Sequence, residues 1–225
     1  MGFKVLTMDY KKNPNIGAFV FVHDKFALVP RLTPKLEKEK IKEILKVEPF
    51  EARIYDSDLL GTFLLSYKDF IFIPKNFSLN VEKKFFEEFD IELYEIETKN
   101  TALSNDVAII KEKIIIHQSL KDLGKIIEDI TGFELITFFE KNYNTFGSYL
   151  VANDYGLLIN PYLDEKVKEE IKEIFKGIKI NESTVNDGSW ILGSGILVNN
   201  HGCLVGHLTR GDEILTINET FNPEL

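Results

Sequence analysis

One cysteine, Cys203, gives an intrachain disulfide nothing to join, so no covalent staple holds this chain, and the lone thiol fits a reducing compartment. No apolar run approaches the roughly 18 residues that a membrane-spanning helix needs. The longest, Ala18 to Val22, has the length of a strand. The opening MGFKVLTMDYKK lacks a secretory hydrophobic segment, and Leu6 stands where a myristoylation signal needs Ser or Thr. These readings place the chain in the cytoplasm, away from membranes. Basic residues are in deficit: 27 Lys+Arg face 36 Asp+Glu, a formal net charge of -9. That balance argues against a broad nucleic-acid-binding surface and fits a basic partner. A 44% apolar and 28% charged composition excludes disorder, collagen and coiled coil. At 225 residues, length alone allows one large domain or two small ones.

What the chain does have is an internal repeat. NIGAFVFVHDKFALVP (15–30), LLGTFLLSYKDFIFIP (59–74), ALSNDVAIIKEKIIIH (102–117), TFGSYLVANDYGLLINP (145–161) and ILGSGILVNNHGCLVG (191–206) share one pattern. Each is a small residue, an apolar run, a polar turn and a second apolar run. Aligned on Gly17, Gly61, Ser104, Gly147 and Gly193, the copies step by 44, 43, 43 and 46 residues. Five units of about 45 residues account for the whole chain, and each block reads as a β-hairpin of nearly continuous apolar strands.

A helix follows each hairpin. Thr33 is the expected N-cap of the first, with Pro34 at its first position and Ile41, Ile44 and Leu45 inward. The second starts behind Asn80 and carries Val81, Phe85 and Phe89. Ser119 and Asp122 suggest a capping box for the third, which Gly132 ends. The fourth starts at Asp164, and the fifth, with Ile214, Ile217 and Phe221, reads as short. The stretch 35–46 interleaves lysines with Glu37, Glu39 and Glu43, as a solvated helix face does. Further strands follow four of the helices, at 47–54, 91–96, 133–138 and 178–181. The fifth helix lacks one, while Phe3–Met8 is a strand with no unit of its own. Pairing the two closes a ring and removes the open edges. The expectation is a single α/β domain over 1–225, five ββαβ units closed into a pseudo-fivefold propeller.

NTALSND (100–106), TFGSYLVANDYGLL (145–158) and TVNDGSWILGSGILVNNHGCLVG (184–206) are similar to segments of the translation initiation factor 6 family, whose pentein fold has the same five repeats. Ser104 departs from that family's usual glycine, and its late glycine-rich threonine turn is reduced here to HLTRGDE (207–213). The chain ends soon after the fifth helix, as archaeal members do. The resemblance implies a non-enzymatic monomer without cofactor or metal. It implies binding to the subunit-joining face of the large ribosomal subunit, chiefly through a basic ribosomal protein beside the sarcin–ricin loop, with limited rRNA contact. Premature joining of the small subunit would be blocked sterically. It points to Thr62, Asn105, Tyr149 and Ile191 as ribosome-facing.

The repeat register adds a geometric expectation. If the anchors open equivalent strands, then Ala18, Thr62, Asn105, Ser148, Tyr149, Ile191 and Ser194 form a rim on one face of the ring, with Tyr149 as its aromatic anchor. Trp190 is either a rim aromatic or a plug of the ring. His201, Cys203 and His207 make a weak metal pattern without a carboxylate partner. The rival enzyme reading comes from pentein hydrolases and transferases that modify guanidines with a late Cys and a central His. Here the central repeat offers His117, followed by Gln118 and Ser119 with no acid beside it. A generic protein-binding scaffold is the third reading.

Overall fold

The computed structural model describes residues 2–141 and 144–225. The chain opens on β1 (Val5–Met8). Blade one is α1 (Ile16–Phe19), β2 (Phe21–Val22), β3 (Phe26–Pro30), α2 (Lys35–Leu45) and β4 (Glu48–Ala52). Blade two is α3 (Leu60–Phe63), β5 (Leu65–Tyr67), β6 (Phe70–Pro74), α4 (Lys83–Glu87) and β7 (Glu92–Ile96). Blade three is α5 (Leu103–Asp106), β8 (Val107–Ile110), β9 (Lys113–His117), α6 (Lys121–Thr131) and β10 (Glu134–Phe138). Blade four is α7 (Phe146–Tyr149), β11 (Leu150–Ala152), β12 (Gly156–Ile159), α8 (Glu165–Ile174) and β13 (Lys179–Glu182). Blade five is α9 (Leu192–Gly195), β14 (Ile196–Val198), β15 (Cys203–Gly206) and α10 (Gly211–Phe221).

The described residues form five three-stranded sheets. In each, the middle strand pairs antiparallel with its hairpin mate and parallel with the strand after the helix. Blade five takes that last strand from the chain start: β1 lies parallel to β15, with Val5 opposite Cys203 and Met8 opposite Gly206. The ring closure expected from the unmatched N-terminal strand is present.

The core is shared between neighbours rather than confined to blades. Met8, Leu197 and Leu204 of blade five pack with Ile16, Val29 and Ile41 of blade one. Leu158 of blade four packs with Val185, Cys203 and Phe221 of blade five. The middle strands β3 and β12 are buried along their whole length, which is why their residues run apolar without alternation.

Several local expectations are corrected. The anchors do not open strands: each lies in a one-turn helix, α1, α3, α5, α7 or α9, and these turns pack against one another around the axis. Glycine is needed for that approach. A Cβ on Gly61 would stand 2.0 Å from the carbonyl oxygen of Gly17, and one on Gly17 would stand 2.1 Å from that of Gly193. Ser104 makes the contact polar, its hydroxyl donating to the carbonyls of Gly61 and Thr62. Thr33 is not a cap, because its hydroxyl donates 2.7 Å to Pro30 O, and α2 starts at Lys35. The second helix shrinks to α4, since Asn80 Oδ1 is taken by the backbone N–H of Arg53. No Ser119–Asp122 box forms; His117 Nδ1 instead accepts from Ser119 N at 3.2 Å, and Ser119 sits in a 3-10 turn before α6. The fifth helix is not short, with 11 residues and Glu213 accepting from Arg210 N at 2.8 Å. Asp164 does cap α8, accepting from Lys166 N at 2.9 Å, and Gly132 at φ 72 ends α6. On α2, Glu39 pairs with Lys35 and Glu43 with Lys4, as a solvated face should, whereas Glu37 is buried and pairs with Lys40 at 3.2 Å.

Candidate functional site

The hairpin strands β2, β5, β8, β11 and β14 surround the axis. Between them lie two cavities of about 220 and 210 Å³ that share Val22, Ser66, Ala152 and Val198 in their walls. The ring therefore has two faces. One carries the five hairpin turns, and the other carries the helical turns with the loops that lead into and out of the sheets.

Polar groups at the hairpin-turn mouth are occupied in tying blades together. His23 is buried and neutral: its Nε2 donates to Lys68 O at 2.6 Å, and its Nδ1 accepts from Lys25 N at 3.2 Å. Burial holds the His23 pKa below the usual imidazole value. Lys111 Nζ donates to Asp154 O at 2.9 Å, and Asn153 Nδ2 donates to Asn199 O at 3.3 Å. Asn199 Nδ2 closes the circuit onto Leu45 O of blade one at 2.7 Å. Among exposed large apolar side chains, the hairpin turns contribute Tyr155.

The helical-turn face differs. Leu32, Tyr55, Phe139, Tyr162, Ile191 and Leu208 are exposed on its connections. Strand direction fixes this placement, because the middle and last strands of every blade run parallel and end here, beside the start of the first strand.

The expected rim residues divide. Thr62 and Asn105 are half-buried on the helical turns, Asn105 in the wall of the cavity and Thr62 with its hydroxyl 3.3 Å from Ala18 O. Ile191 is 37% exposed, and Ser194 and Ala18 are half-buried beside it and on α1. Ser148 and Tyr149 are buried, Tyr149 to 4% exposure, so Tyr149 is no exposed anchor. Its ring lies 5.4 Å from Trp190 and 6.5 Å from Phe146, and its hydroxyl accepts from Thr145 Oγ1 at 2.6 Å. Trp190, half-buried against Tyr149, is absent from the walls of both cavities and plugs neither. Phe139 went unnoticed in the sequence; its only signal there is a second phenylalanine just past the end of an alternating strand.

Comparison with known proteins decides the family. The model of the eIF-6 family matches residues 5–220. The chain belongs to the eIF-6 family. Translation initiation factor 6 of Staphylothermus marinus is 34% identical over 210 residues, covering 91% of this chain and 92% of that protein. The same factor from Sulfolobus acidocaldarius is 32% identical, covering 92% and 94%. These are the names of a translation factor rather than an enzyme. Among solved structures, an adduct of dimethylarginine dimethylaminohydrolase with S-methyl-L-thiocitrulline aligns at TM-score 0.50 and 14% identity, over 74% of this chain and 67% of that one. That likeness shows the shared fold alone.

Much of the family-like TVNDG segment is architectural. Buried Glu213 accepts from Thr184 Oγ1 at 2.6 Å, Gly188 N at 2.9 Å and Asp187 N at 3.2 Å, fixing the loop to the start of α10. Asn186 Nδ2 reaches Pro14 O at 3.0 Å and so binds blade five to blade one.

Residues of the enzyme reading do not converge. Cys203 is fully buried in β15, and His117 packs against Phe139 and Phe146; neither lines the cavities. His201 and His207 are exposed on either side of β15, and among the described residues no three His, Cys, Asp or Glu side chains group to hold a metal. Burial pushes the Cys203 thiol far up, leaving almost no thiolate. Native protein should therefore resist iodoacetamide at pH 8 and react fully once unfolded, as read by mass spectrometry. Rapid labelling of the folded chain would contradict this placement.

Asp106, beside Asn105, is buried at the end of α5, and burial raises its carboxyl to about 6, offset in part by a hydrogen bond from Asn100. A folded pKa above the unfolded one means that ionisation opposes folding. The penalty is complete above pH 6 and disappears as pH falls toward 4. Asp106→Asn should stabilise the ring by about 1–3 kcal/mol at pH 8 and by almost nothing at pH 4. Denaturant unfolding at the two pH values measures it; equal effects at both would contradict the assignment.

Proposed function

We propose that this chain docks by its helical-turn face on the subunit-joining face of the large ribosomal subunit and keeps the small subunit from joining prematurely. The partner is a basic ribosomal protein beside the sarcin–ricin loop, with limited rRNA contact. The chain acts as a cytoplasmic monomer, by occlusion and without chemistry. Family membership supports the ribosome as partner. The observation that carries the choice of face is the apolar asymmetry: six exposed Leu, Ile, Tyr and Phe side chains stand on the helical-turn connections, against Tyr155 alone on the described hairpin turns. The net charge of -9 suits a basic protein surface and disfavours extended phosphate contact. On sucrose gradients the protein should travel with purified large subunits, stay off small subunits, and reduce joined ribosomes when added before mixing. Failure to travel with large subunits would defeat the reading.

A further inference from the structure

A ridge of aromatic rings runs across the helical-turn face. It starts at Phe139, whose ring centroid is 5.8 Å from that of His117. His117 lies 6.5 Å from Phe146, Phe146 lies 6.5 Å from Tyr149, and Tyr149 lies 5.4 Å from Trp190, next to exposed Ile191. The ridge thus links blades three, four and five. Its inner members are buried, while Phe139 is 68% exposed, more than any other aromatic side chain described. An aromatic held so far out of the core, on a buried ring support, keeps roughly two thirds of the about 150–250 Å² that such a side chain can bury available to a partner.

We infer that Phe139 is the apolar anchor of the docking face and enters an apolar pocket on a protein of the large subunit. The inference rests on the proposed docking face and names its anchor and the chemistry it meets. Charge selects protein over RNA. Charges along the border of the ridge balance: Glu97, Glu140, Asp187 and Asp212 stand with Lys75, Lys99, Lys141 and Arg210, Glu97 paired with Lys75 and Asp187 with Arg210. That leaves no cation surplus for a phosphate backbone to meet. Shape agrees, because a protruding ring on a packed aromatic base resembles the aromatic anchors that fill pockets at protein interfaces. A single apolar pocket would also fix the rotation of the ring about its axis, which a pseudo-fivefold face otherwise leaves weakly defined.

The test measures binding of Phe139 variants to purified large subunits over a range of salt concentrations. Phe139→Ala should weaken binding roughly tenfold or more, with an unchanged thermal midpoint and an unchanged salt slope. Phe139→Leu should retain most of the affinity, since an apolar pocket accepts an aliphatic side chain. If Leu costs as much as Ala, or the salt slope falls, the ring stacks on a base and the protein pocket is wrong. If Phe139→Ala binds within twofold of wild type while Ile191→Asp does not bind, the face stands and Phe139 is not its anchor. If neither variant weakens binding, the docking face itself is wrong and the anchor with it.

Discussion

Deleting residues 1–9 should destabilise the entire ring cooperatively rather than fray one end. The segment supplies β1, the parallel partner of β15, and Met8, which is buried in the core shared by blades five and one. Its loss exposes the edge of β15 and leaves a methionine-sized gap among Ile16, Val29, Ile41 and Leu204. A buried methionine alone is worth about 2–5 kcal/mol, against a typical total of about 5–15 kcal/mol. For a chain of this size, each kcal/mol moves the thermal midpoint by roughly 2–4 °C, so a fall of more than 10 °C is expected. Cores shared between neighbours make the loss propagate, and circular dichroism melting should show one lowered or broadened transition. A midpoint within a degree or two of wild type would mean that the ring does not depend on its closure.

The ring was legible because repetition is global: the 44, 43, 43 and 46 residue steps and one unpaired apolar strand admit few other solutions. Local detail was less so. Segments such as IGAFVFV combine β-branched and aromatic residues with no side-chain cap, and nothing local favours a helical turn there. Those turns are held instead by their neighbours around the axis, where Gly61 meets Gly17 and Ser104 meets Gly61. Missing them changed the site. Alternation along a strand would place Gly147 and Tyr149 on one side; along a helical turn, Tyr149 is rotated by about 200° from Gly147 and points into the core. Caps failed for a related reason. Thr33 and Asn80 both have the right chemistry, but nearby backbone groups at strand ends engaged them first.

Burial of Tyr149 also decides which substitutions can test docking. Tyr149→Ala would empty a site packed by Phe146 and Trp190 and cost about 3–5 kcal/mol of stability, so weak binding by that variant would report unfolding as much as contact. Asn105 and Ile191 are better probes. Asn105 presents donor and acceptor groups at the mouth of the ring, and Ile191 is a surface apolar residue on the blade-five turn. Asn105→Ala removes the polar pair, and Ile191→Asp puts a charge where an apolar contact would form. Truncating one well-buried hot-spot residue costs about 2 kcal/mol or more, roughly thirtyfold in affinity, and two such losses on one face should compound. Neither position fills a core, so the melting transition should move by no more than about 3 °C.

The most direct measurement is the affinity for purified large subunits of Asn105→Ala/Ile191→Asp, set beside Tyr155→Asp on the opposite, hairpin-turn face. The helical-turn variant should bind at least thirtyfold more weakly and fail to block subunit joining, while Tyr155→Asp behaves as wild type. Wild-type affinity in the double variant, with binding lost instead in Tyr155→Asp, would place the docking surface on the other side of the ring.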